Sequence, residues 1–197
     1  MTPAERAPLV VVIAGPNGAG KSTTAGRLLQ EALAVSEFVN ADPIATGLSA
    51  FRPESVALAA GRVMLARMKA LAQARRDFAF ETTLASRSFA HWLGALRGSG
   101  YRVHLAFLSL PGPDLAVARV AARVRQGGHD VPEPVVRRRF ATGLRNFFML
   151  YEALVDTWQM FDNAAVAGPR LIASGRTGQP THVLDVGAWA RLQEQGR

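Results

Sequence analysis

The sequence predicts an α/β fold, a three-layer α/β/α arrangement with a mostly parallel central sheet, in a single domain spanning residues 1–197. Two patterns predict it. Short strand-like apolar runs alternate with stretches of helical period, which means βαβ units. The first run, "PLVVVIAG", is β-branched and apolar on both faces, as a buried parallel strand must be. No repeat, low-complexity segment or linker divides the chain.

Lys21–Ala34 follows the first run as a helix. "SEFVNADP" is a second strand stopped at Pro43, because proline disfavours helix for the residue before it. Pro53 to about Arg76 is a long helix with proline near its start. "DFAFETTL" is a third strand and Ser86–Ser99 a helix, and "YRVHLAFLSL" is a fourth strand ended by "PGP". Helices over Asp114–Gln126 and Glu133–Val155 flank "GGHDVP", so residues 112–150 form a helical, arginine-bearing lid. "WQMFDN", "PRLIAS" and "HVLDV" are strand candidates ahead of a last amphipathic helix.

The 197 residues suffice for one full-sized core, and an apolar share of 49% argues against disorder. With no cysteine there is no disulfide framework and no thiolate metal site, which fits a reducing cytosol. No apolar stretch approaches the roughly 18–20 residues of a membrane span, and the N-terminus has no signal-peptide pattern. A cytoplasmic protein without a membrane partner is expected. The formal charge of +8 rests on arginine, the only lysines being Lys21 and Lys69. Basic residues are dispersed and no aromatic-interleaved basic run occurs, so phosphorylated small molecules are expected as ligands rather than nucleic acid.

"GPNGAGKS" satisfies Gly-x4-Gly-Lys-Ser and lies between a buried strand and a helix start. Glycines let backbone N–H groups wrap an anion, and the helix N-terminus adds partial positive charge. Gly15, Pro16, Asn17, Gly18, Ala19, Gly20, Lys21, Ser22 and Thr23 are therefore the candidate nucleotide-binding set. Lys21 reaches the β/γ-phosphates and Ser22 ligates Mg2+. The motif makes the fold a P-loop NTPase of kinase-like type, with ATP or GTP and Mg2+ as cofactors.

Ligands of a parallel sheet sit beyond the carboxyl ends of its strands. Asp42 ends the second strand and Glu81 the third. Asp42 is either a base that takes a hydroxyl proton or a turn-former before Pro43. Glu81 either bonds a polyol, positions Mg2+ through water, or is an exposed strand end. Neither strand is a long apolar run ending in aspartate, which argues against a motor or a switch. In the arginine region, Val117, Val120, Ala121 and Val124 form an apolar stripe. Arg119 points away from it toward solvent, while Arg123 and Arg125 flank it. In the next helix Val136, Phe140, Leu144, Phe147, Tyr151 and Leu154 share a core face; Arg137 borders that face and Arg138 points away.

"GPNGAGKST", "NADPIA", "FETTLAS", "RVRQGGHDVPEPVVRRRF", "NFF…Y" and "FDNA", in this order, resemble the zeta-toxin family of P-loop kinases, in particular its compact members described as predicted ABC-type ATPases. The likeness runs from about Val10 to Asn163. It implies transfer of a nucleotide γ-phosphate to a hydroxyl of a UDP-sugar such as UDP-N-acetylglucosamine. It also implies that Asp42 is the base, that Lys21 and Ser22 hold nucleotide and Mg2+, and that Glu81 and Thr82 contact the acceptor. Arg123 then meets the transferring phosphate. A second family arginine belongs where this chain reads "GGHDVP", leaving Arg125, Arg137 or His129 to take its place, Arg137 as a phosphate ligand and His129 as an acceptor contact. An antitoxin protein is a further implied partner. The rival readings are a kinase of another sugar or a nucleoside, and a regulatory ATP-binding module without chemistry.

Overall fold

Every residue of Leu9–Ala14 (β1) is buried, and this strand forms the middle of the five parallel strands of the sheet. The structure is a computed structural model describing residues 6–29, 33–128 and 130–197. β1 pairs in parallel with Phe78–Thr82 (β3) on one side and Arg102–Ser109 (β4) on the other. Phe38–Val39 (β2) extends the sheet beyond β3, and Thr157–Asp162 (β5) extends it beyond β4, both in parallel. Arg170–Arg176 (β6) and His182–Val183 (β7) then add antiparallel, giving a seven-stranded sheet of order β2-β3-β1-β4-β5-β6-β7. The change of direction follows from connection length. Helical crossovers join the parallel strands, whereas short loops join β5 to β6 and β6 to β7.

The helices are Lys21–Arg27 (α1), Ala41–Leu48 (α2), Ala57–Gln73 (α3), Ser88–Gly98 (α4), Pro113–Arg125 (α5), Glu133–Asn146 (α6), Glu152–Leu154 (α7) and Val186–Gln195 (α8). A 3-10 turn over Pro53–Val56 leads into α3, and a π-helical turn over Phe147–Tyr151 joins α6 to α7. The alternation of side chains along β1 divides the core. Val10 and Val12 join Phe78, Phe80 and Phe107 under α3, α4, α8 and the π-turn. Val11 and Ile13 face the other way, with Ala25 and Leu29. Leu108 and Leu110 pack with Ala116, Val120, Val136 and Phe140 of α5 and α6. Among the described residues no helix is long and apolar enough to cross a membrane.

Two expectations are corrected. "NADP" does not continue the second strand: Asn40 accepts the Asp42 backbone N–H at 2.9 Å through Oδ1 and caps α2, so Asp42 lies in the first turn of a helix. Pro43 is tolerated there because N–H groups of a first turn have no intrahelical partner. The first helix does not reach Ala34, whose φ of 52° is left-handed. The remaining predicted elements are present, the Glu133–Val155 stretch as α6, the π-turn and α7.

Candidate active site

The glycine loop takes its shape from what surrounds it. Gly15 leaves β1 at φ 140°, where a Cβ would lie 2.3 Å from Leu108 O, so any side chain would strike the backbone of β4. Gly20, at φ 75°, precedes α1 with Asn163 Nδ2 only 2.8 Å from a would-be Cβ. That Asn163 amide donates to Ala19 O at 2.7 Å. Arg119 donates to Asn163 O at 2.8 Å and Ala164 O at 2.6 Å, and its Nη1 lies 3.5 Å from Gly18 O. Arg119 is therefore not solvated as its helical phase suggests: Ala116 is buried and Ala121 exposed, which rotates α5 and turns Arg119 toward the loop.

Lys21 is 7% exposed and donates to Pro16 O at 2.9 Å. Glu81, at the end of β3 beside β1, reaches it with Oε1 at 3.6 Å. The other Glu81 oxygen accepts from Ser22 Oγ at 2.6 Å and from Asn40 Nδ2 at 2.7 Å. Burial pushes the Lys21 pKa down, and the Glu81 and Asp42 carboxylates oppose that shift.

Two cavities flank this centre. One, of about 460 Å³, is bordered by Ser22, Asn40, Asp42, Thr46 and Arg123 against a wall of small residues from α2 and α3. The other, of about 490 Å³, is bordered by Gly18, Gly20, Thr23, Thr24 and Arg119 and by the loop between β5 and β6. The structure thus brings Ser22, Asp42 and Arg123 to one cavity, with Glu81 on Lys21 and Ser22 beside it. Thr82 borders neither cavity, and its hydroxyl accepts the Leu84 N–H at 3.1 Å. Arg137 is bound by Asp114 at 2.7 Å and Glu133 at 2.8 Å on the outer side of α5 and α6. Arg125 is exposed, and His129 lies outside the described residues.

Arg139 is an arginine of α6 that contacts the glycine loop, and helical phase does not mark it. It is half-buried, with Nη1 3.4 Å from Asn17 Oδ1 of the glycine loop. Its pKa is lowered by burial and by Arg138, while Asp42 acts the opposite way. Asn40 and Asn163 were also missed as site residues. The "NADP" and "FDNA" runs contain them, but only the folded chain shows what their amides hold.

A glycine loop between the central strand and a helix, in a β2-β3-β1-β4-β5 parallel sheet, defines a P-loop protein of kinase-like fold. The chain belongs to the AAA domain family, whose profile matches residues 10–150. An uncharacterised protein of Haemophilus influenzae is 29% identical over 126 residues, which are 64% of this chain and 88% of that protein. A chain of the AvrRxo1-ORF1:-ORF2 crystal structure with ATP matches the fold with a TM-score of 0.75 at 15% identity, over 98% of this chain and 66% of that one. A chain of the PezAT chromosomal toxin–antitoxin system of Streptococcus pneumoniae matches with a TM-score of 0.68 at 15% identity, over 97% and 78% of the two chains.

Proposed function

We propose that the protein transfers the γ-phosphate of ATP to an alcohol, with Asp42 as the base. One observation carries this: a carboxylate, a guanidinium and the P-loop serine border one cavity next to a buried lysine. A UDP-sugar such as UDP-N-acetylglucosamine is the acceptor that the zeta-toxin resemblance implies, and the likeness to a chain of the PezAT toxin–antitoxin system supports the fold on which that resemblance rests. An antitoxin protein is the macromolecular partner consistent with it.

The residues fit a nucleotide and its magnesium. The glycine loop is a cradle that a Cβ on Gly15 would fill, and Lys21 offers a buried ammonium above it. Ser22 and Glu81 are the hard oxygen donors that Mg2+ prefers, directly or through water, and they would hold it. Bound Mg2+ neutralises charge on the terminal phosphates. The loop N–H groups and Lys21 would bind those phosphates, with the nucleoside in the cavity beside Thr23, Thr24 and Arg119.

Asp42 takes the proton of the acceptor hydroxyl. The freed oxygen bonds to the γ-phosphorus as the bond to the bridging oxygen breaks, yielding ADP and a phosphate monoester. Arg123 and Arg139 stabilise the negative charge spread over the migrating group. The test is mass spectrometry of a metabolite extract supplemented with UDP-sugars and incubated with ATP, Mg2+ and protein. A new phosphate monoester is expected. ATP binding without any phosphorylated product in the supplemented extract would overturn the proposal.

A further inference from the structure

"NFF…Y" (Asn146–Tyr151) takes no part in the chemistry above, yet it places two polar side chains in the core. Asn146 is 2% exposed and donates through Nδ2 to Leu84 O at 2.7 Å. Tyr151 is fully buried and donates its hydroxyl to Ser86 O at 3.0 Å. Gly143, earlier on the same helical stretch, approaches so closely that a Cβ would lie 2.3 Å from Thr83 O. One helical rod therefore meets three carbonyls of the loop that leaves β3.

That loop begins immediately after the site. Leu84 sits at φ 55°, an uncommon conformation for a leucine, and its N–H is taken by Thr82 Oγ1 at 3.1 Å. A left-handed leucine persists only where its surroundings over-determine it. Asn146 is the side chain that holds its carbonyl. Residues five apart on an α-helix point about 140° away from each other. Tyr151 nonetheless reaches the same loop as Asn146, because the wider π-turn at Phe147–Tyr151 changes the phase between them. Burial pushes the Tyr151 phenol up to about 12, so it remains a hydrogen-bond donor across working pH.

We propose that Asn146 and Tyr151 are positioning residues: they clamp residues 83–86 so that Glu81 is held against Ser22 and Lys21. The proposal rests on the reading above, in which Glu81 and Ser22 serve bound Mg2+. The same rod carries Arg139 to Asn17, so one helix ties the end of β3 to the glycine loop.

The experiment is calorimetric titration of ATP, with and without Mg2+, into the wild type, Asn146→Ala, Tyr151→Phe, Glu81→Gln and the Asn146→Ala/Glu81→Gln double variant. The wild type is expected to gain affinity from Mg2+. Asn146→Ala and Tyr151→Phe lose about three- to tenfold of that gain, with ATP affinity in the absence of Mg2+ near normal. In the Glu81→Gln background Asn146→Ala has no further effect. A full Mg2+ gain in both single variants, or an Asn146→Ala loss that is the same with and without Glu81, overturns the proposal. If Asn146→Ala does not fold, Tyr151→Phe decides, since it removes one hydroxyl only. Absence of ATP binding by the wild type instead overturns the reading of the site, and the clamp with it.

Discussion

The Glu81 carboxylate accepts the Ser22 hydroxyl at 2.6 Å, across two neighbouring parallel strands and the loop that leaves one of them. A strand-end carboxylate is thereby tied to the serine of the glycine loop, and it also faces Lys21 at 3.6 Å. Both oxygens are engaged.

Glu81→Gln should weaken Mg2+-dependent ATP binding about tenfold, since a charged partner is lost beside the buried Lys21. It should also move the alkaline limb of ATP binding to lower pH. Burial already lowers the Lys21 pKa and Glu81 is the largest opposing influence, so its removal lets Lys21 lose its proton earlier. Titrations across pH 7–10 check both outcomes. An unmoved limb would mean that Glu81 does not support the Lys21 charge.

Arg139 and Arg137 lie two residues apart on α6 but face different surroundings. Arg139→Ala should lower phosphoryl transfer about a hundredfold, the scale for removing one preorganised donor. Arg137→Ala removes contacts to Asp114 and Glu133 at the exposed side and should leave the rate within about twofold. Initial rates of the two variants under the same conditions compare them directly.

Gly15→Ala should destabilise the fold by about 2–4 kcal/mol and abolish ATP binding, because the new Cβ meets Leu108 O at 2.3 Å in a left-handed conformation. Urea denaturation measures the first effect and calorimetry the second. Wild-type stability in this variant would show that the loop can move away from β4.

His104 of β4 shares its Nδ1 with Thr157 Oγ1 at 2.8 Å, while Nε2 is sealed from solvent. Burial lowers its pKa from 6.5 to about 4, with a hydrogen bond to the Gln159 side chain opposing the shift. Above pH 6.5 the ring is neutral whether folded or not, so nothing is lost there. Between pH 6.5 and about 4 only the unfolded chain gains the proton, so stability should fall by about 2–3 kcal/mol from this residue. Denaturation of the wild type and His104→Asn at pH 7.5 and 4.5 isolates it: the variant should lose less stability on acidification.

The parts of the fold legible in the sequence were those written locally. Gly15–Ser22 announces its own backbone, and both-faced apolar runs announce buried parallel strands. Asp42 was legible as a residue facing the site but not as a helical one, because Asn40 reads equally well as a strand residue until its side chain is seen capping α2. The buried stripe of α5 runs through Ala116 rather than Ala121, and because alanine says little about burial, helical phase alone sends Arg119 to the wrong side. Arg139 could not be found from phase alone, since what distinguishes it is Asn17, more than a hundred residues earlier in the chain. Contacts between remote segments build this site, and periodicity within one helix does not report them.

The most direct measurement compares the wild type with Asp42→Asn for ATP affinity and for phosphate monoester formed from the acceptor. Asp42 borders the cavity beside Ser22 and Arg123 without contributing a side-chain bond to the glycine loop among the described residues. Near-normal ATP affinity with product formation reduced about 10²–10⁴-fold is the result expected of a lost base. Equal product formation by the two proteins would contradict the account.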